Sequence, residues 1–173
     1  MTTPPLAPLR LFLALWPSSE LAARLQQCAD AWEWSAGARR TRPERLHVTL
    51  HFIGEVAAAE VLPLQHALDV RWPGCELALD QAQVWPGGIA VLEASRVPPA
   101  LAALHEALAH GLRERGLAVE SRRFRPHVTF ARKAQGSQPP AGFTPLRWSA
   151  GTAYLLVQSL PGGRGYRPLQ RFG

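Results

Sequence analysis

Residues 45–54, RLHVTLHFIG, and residues 125–132, RPHVTFAR, share one triplet. His47-Val48-Thr49 is followed by Leu50, and His127-Val128-Thr129 is followed by Phe130. With 6 His, 10 Val and 7 Thr in 173 residues, roughly 0.01 copies of the triplet are expected by chance. Two copies therefore carry information. Both runs read as β-strands, where residues two apart share a face. His47 and Thr49 then point one way and Val48 and Leu50 the other, and the second run repeats the division. The first run is apolar on nearly every residue, which predicts cover on both of its faces over part of its length.

The other elements follow outward from these strands. PLRLFLALWP is a strand closed by Pro17. SSELAARLQQCADAWEW places Leu21, Ala22, Leu25, Cys28, Ala29 and Trp32 on one helical stripe, with Ser18 as N-cap. Residues 58–70 read as a second helix with Pro63 in its first turn. CELALDQAQVW and IAVLEA form two strands about a Pro-Gly-Gly turn. PPALAALHEALAHGLRERG is a helix burying Leu101, Leu104, Leu108 and Leu112 and stopped by Gly116. GSQPPAGFTP is a loop, RWSAGTAYLLVQS one strand, LPGGRGY a glycine loop, and YRPLQRF a closing strand. The late cluster of strands predicts an α+β fold with mainly antiparallel sheet. The loose similarity of the two halves predicts one bilobed domain over residues 1–173, each lobe supplying one histidine strand.

Length is that of about one domain. Cys28 and Cys75 offer no metal-ligand spacing and fit a reduced interior. No apolar run is long enough to span a bilayer, and MTTPPLAPLR lacks the features of a signal peptide. A cytoplasmic protein is expected, and nothing in the sequence argues against a monomer or demands a protein partner. Formal net charge is +6, and 18 of the 19 basic residues are arginine. That excess favours anionic partners such as RNA or nucleotides, and the planar guanidinium suits phosphate.

Two histidines titrating near neutrality can serve together as general acid and general base. Hydroxyls and arginines can hold a phosphate and the charge that develops on it. Opening or exchange of a phosphodiester is the task such a set performs without a nucleophilic side chain, cofactor or metal. The two tetrapeptides resemble the H-x-T/S-apolar motifs of the two-histidine (2H) phosphoesterases. Their flanks, LRLFLAL, ERLHVTLHFIGEV, FRPHVTFAR and LVQSLPGGRGYRPLQRF, resemble the RNA 2',3'-cyclic phosphodiesterases, also called 2'-5' RNA ligases, over nearly the whole chain.

The resemblance implies a central cleft between the two histidine strands, with helices on the outer faces of the sheets. It also implies metal-free hydrolysis of an RNA 2',3'-cyclic phosphate end to a 2'-phosphate. His47 is then the acid on the leaving 3'-oxygen, His127 the base on water, and Thr49 and Thr129 the phosphate ligands. Reversible ligation of RNA ends through a 2'-5' bond is a second activity that the resemblance implies. Arg132 matches a family arginine near the phosphate or base. It lies at an odd offset of five from His127, so a bulge or strand end must turn it. Phe12 either borders the cleft or packs in the core. Arg164 and Tyr166 either contact substrate or belong to an ordinary glycine hairpin.

His51 lines the cleft, or lies at the surface or an edge. His66, His105 and His110 read as polar-face helix residues. The six tryptophans read mostly as core, with Trp85 exposed before its turn. Other readings stay open: a 2H phosphoesterase acting on a nucleotide cyclic phosphate or 2'-5' oligoadenylate, a noncatalytic RNA-binding module, or a metal site on His47, His51 and His127.

Overall fold

The computed structural model describes residues 7–173. Ten strands and three α-helices alternate in the order β1 (Leu9–Leu15), α1 (Ser19–Asp30), β2 (Arg39–Arg40), β3 (Val48–Val56), α2 (Val61–Ala67), β4 (Cys75–Leu79), β5 (Gln81–Trp85), β6 (Ile89–Glu93), α3 (Pro99–Glu114), β7 (His127–Arg132), β8 (Leu146–Ala150), β9 (Tyr154–Leu160) and β10 (Gly165–Phe172). Eight strands form one sheet in the order β10-β9-β1-β3-β7-β6-β5, with β2 added to β7, and β4 pairs with β8 in a second sheet. Strand pairing is antiparallel throughout the described residues. The expected α+β class is therefore found.

The two histidine strands are the middle of the large sheet. They pair at one position, Val48 opposite Val128, so the sheet is two four-stranded lobes joined by a one-pair seam. Helices α1 and α3 bury Leu21, Leu25, Leu101, Leu104, Leu108 and Leu112 in the main core, with Leu11, Leu13, Leu15, Val48, Leu50, Val128 and Phe130 from the sheet. Ser18 caps α1 by accepting the Leu21 N–H at 3.2 Å. The opposite face of β1 carries Phe12 and Ala14, which form a separate small cluster with Val157 of β9, against Trp16 and Leu155. That second face holds the histidines.

Two expected strands are each divided. CELALDQAQVW breaks at Asp80, which accepts the backbone N–H of Ser95 at 2.8 Å and its hydroxyl at 2.6 Å. RWSAGTAYLLVQS breaks at 151–153. Both chains pass from the small sheet to the large one, β4 into β5 and β8 into β9. Continuous apolar alternation hides such a hand-over, because each half satisfies the strand period. No helix among the described residues is long and apolar enough to cross a membrane.

Candidate active site

Each motif runs along its strand as parity requires. Val48, Leu50, Val128 and Phe130 are buried, while His47, Thr49, His127 and Thr129 are half-buried on the other face. Because Val48 and Val128 pair antiparallel, the motifs are related by a local two-fold. His47 flanks Val48 on the side where Thr129 flanks Val128, and Thr49 lies toward His127. Two imidazoles and two hydroxyls thus share one small volume.

The rings are held alike. His47 Nδ1 lies 2.7 Å from the Arg45 carbonyl, and His127 Nδ1 lies 2.6 Å from the Arg125 carbonyl. A carbonyl only accepts, so each Nδ1 carries its hydrogen and donates it to the residue two before. Each Nε2 is left for chemistry. The Nε2 of His47 takes a hydrogen bond from the Thr49 hydroxyl at 3.0 Å.

Both motifs also contain a β-bulge at their fourth residue. Along β1, Leu13 pairs with His51 and Ala14 with Thr49, which leaves Leu50 as the extra residue. Along β6, Ala90 pairs with Ala131 and Val91 with Thr129, which leaves Phe130 extra. A bulge resets side-chain parity. Leu50 and His51 consequently both face the core, as do Phe130 and Ala131. The residue five past each histidine returns to the cleft face. At the second motif this is Arg132, exposed as the expected bulge demands. At the first it is Phe52, 62% exposed and 6.3 Å from Phe12.

The bulge also decides His51. It is neither in the cleft nor at an edge but 4% exposed beneath α3. Its Nε2 lies 2.8 Å from the His105 carbonyl, and its ring stacks on that of His105 at 3.9 Å. His105 is not a plain polar-face residue: it lies between His51 and Phe124. Burial first, then the neighbouring His51, holds it down to about 4. His51 therefore cannot join His47 and His127 on a metal, and no His/Cys/Asp/Glu cluster of metal-site form occurs among the described residues.

Phe12 lines the site, 5.1 Å from the His47 ring. Tyr166 meets the same ring edge-on at 5.5 Å. Trp16, read from sequence as core, stacks on His47 at 4.9 Å and 9°. Phe12 and Trp16 are four apart on one strand face, and that spacing was the available signal. This aromatic surround buries His47 and lowers its pKa to about 4, with a further contribution from the nearby His127. Arg164 is not brought to the rings. It is exposed, and its Nε donates to the Pro161 carbonyl at 3.1 Å. Arg45 lies over Tyr166 at 5.9 Å and donates to the Gly163 carbonyl at 3.0 Å.

His127 has different company. Trp85 lies 4.4 Å from its ring, and the Arg125 guanidinium lies 4.3 Å over Trp85. Glu93 sits opposite His127 on β6 and is 6% exposed. It accepts from Arg125 Nε at 2.6 Å, Arg125 Nη2 at 2.8 Å, Gln83 Nε2 at 2.7 Å and Trp85 Nε1 at 3.3 Å. Burial alone would raise the Glu93 carboxyl, but these donors hold it below the usual range. The His127 pKa is lowered by burial, against the Arg125 carbonyl and the Glu93 charge, which raise it. Glu93, Gln83 and Arg125 lie far apart in sequence, so no local pattern announced them.

A chain with this site can be placed among known proteins. The sequence profile of the 2'-5' RNA ligase superfamily matches residues 16–157. The chain belongs to the 2'-5' RNA ligase superfamily. Within it, the chain is 31% identical to the RNA 2',3'-cyclic phosphodiesterase of Escherichia coli (strain K12), over 95% of this chain and 96% of that one. Solved structures share the fold. The apo crystal structure of E. coli LigT superposes with a TM-score of 0.80 at 28% identity, covering 96% and 98% of the two chains. A crystal structure described as a phosphoesterase gives 0.81 at 28% identity, covering 95% and 97%.

Proposed function

We propose that this protein hydrolyses RNA 2',3'-cyclic phosphate ends to 2'-phosphates without a metal, His47 and His127 exchanging the protons. The observation that carries the reading is the pair of matched motifs about Val48 and Val128, each imidazole pinned through Nδ1 to a backbone carbonyl, which leaves Nε2 for proton transfer. Family membership and the identity with an enzyme of that name support it.

In the free protein both imidazoles are held toward the neutral form. An entering phosphate diester is an anion, and its charge favours protonation of an imidazole beside it. His47, the more buried ring, takes that proton on Nε2 and delivers it to the departing 3'-oxygen. His127 Nε2 draws a proton from the attacking water. Thr49 and Thr129 bond the non-bridging oxygens, and Arg132 offsets the charge that develops there. With the 5'-hydroxyl of a second RNA end attacking in place of water and the 3'-oxygen leaving as before, the same steps join the two ends through a 2'-5' phosphodiester.

The substrate is an RNA terminus and no obligate protein partner is required. The two lobes act as one domain across the seam, as a cytoplasmic monomer; two free, half-buried cysteines fit that compartment. Incubation of an RNA ending in 2',3'-cyclic phosphate, with a chelator present, is expected to yield the 2'-phosphate. A 3'-phosphate product would reverse the leaving-group assignment, and activity abolished by the chelator would overturn the metal-free reading.

The Glu93 assembly gives a second test. With His127 as base, one limb of kcat/KM against pH follows its pKa in the free enzyme. Glu93→Gln removes a charge that raises this pKa, so the limb moves to lower pH. Arg125→Gln removes a cation and leaves Glu93 unneutralised, so the limb moves to higher pH. Coincident profiles for both variants and the wild type would show that the carboxylate does not govern His127.

A further inference from the structure

We propose that the groove running from Trp16 past Arg171 to Arg24 and Arg147 holds the single-stranded RNA upstream of the reacting terminus. This rests on the reading of the two-histidine site given above. The groove encloses about 730 Å³ and is lined by Trp16, Leu155 and Arg171 on the sheet side, and by Arg24 and Arg147 from α1 and β8.

It starts at the site itself. Trp16 lines the groove and also stacks on His47. Its floor continues the same sheet face. Thr49 pairs with Ala14, Ala14 with Leu155, and Leu155 with Arg171, in one row across β3, β1, β9 and β10. Directly paired residues point to one face, so Arg171 rises from the surface that bears Thr49. Three interstrand steps separate them, about 14 Å at the usual spacing. A short run of nucleotides covers that distance. The terminal phosphate is at the 3' end of the strand, so only upstream nucleotides remain to be housed.

The chemistry of the groove fits a nucleic-acid backbone. None of Arg24, Arg147 and Arg171 joins an ion pair among the described residues. Two carboxylates, Glu20 and Glu76, also line it, and Glu76 is bonded to the Ser149 hydroxyl. Guanidinium groups beside an aromatic ring are the pairing by which single strands are held without regard to sequence. A lone cyclic mononucleotide would reach none of these arginines.

The test compares two substrates, a 2',3'-cyclic mononucleotide and an RNA of about ten nucleotides ending in the same group. The Arg24→Gln/Arg147→Gln/Arg171→Gln variant should lose about tenfold or more in kcat/KM on the RNA, with a shallower salt dependence. Its turnover of the mononucleotide should match wild type. Equal losses on both substrates, or none on either, would overturn the proposal. Should the triple variant fail to fold, the single Arg171→Glu variant is expected to show the same selective loss. Binding of a fluorescent single-stranded RNA separates this inference from the catalytic one. If wild type turns over neither substrate yet binds the RNA, and the variants do not, the groove stands and the enzymatic reading falls. If wild type and variants bind the RNA equally, the groove is not its track.

Discussion

His47→Ala and His127→Ala variants are each expected to lose at least about 10²- to 10⁴-fold in kcat/KM on a 2',3'-cyclic phosphate end, the usual worth of a positioned acid or base. The structure separates this loss from unfolding. Both rings stand on the cleft face and contribute nothing to the helix-packed core. His47 touches Phe12, Trp16 and Tyr166, and His127 touches Trp85, all of them cleft residues. Thermal midpoints near wild type should accompany the lost activity. The double variant should be little worse than either single one, because the two rings act as a unit. Near-normal turnover by either single variant would refute proton transfer by the pair.

Phe130→Ala is expected to cost about 3–5 kcal/mol of stability, the usual range for a buried phenylalanine. Total stabilities are about 5–15 kcal/mol, so the variant should unfold far below the wild-type midpoint. Phe130 is 1% exposed and meets Trp32 edge-on at 6.3 Å, deep in the main core. It is also the extra residue of the second bulge. Its packing holds the local backbone in the path that turns Arg132 into the cleft. Phe130→Leu keeps most of the volume and is expected to stay close to wild type, at a cost under about 1.5 kcal/mol. A denaturation midpoint for Phe130→Ala equal to wild type would show that the site collapses without penalty.

The paired motifs were legible in sequence because strand parity is a short-range rule. His-x-Thr fixes two side chains to one face whatever surrounds them, and the structure keeps both sets so. The odd offset of Arg132 called for a bulge, and one is found at Phe130. The first motif bulges in the same way at Leu50, with no charged residue to signal it, and so His51 enters the core and Phe52 faces the cleft. Trp16 looked like core because its partner, His47, lies on another strand. The contact of Arg45 with the glycine loop is not legible in the sequence, because the Gly163 carbonyl it reaches lies 118 positions away. The Glu93 assembly joins side chains up to 42 positions apart, Gln83 to Arg125, and only the fold brings them together.

The seam at Val48 and Val128 has a mechanical meaning. A ladder one rung wide resists little rotation, so the spacing between the imidazoles is governed mostly by core side chains and not by backbone bonds. A phosphoryl group gripped from both sides would act as a rivet across that joint. The enzyme would then be stiffest when loaded and slackest just after its product leaves.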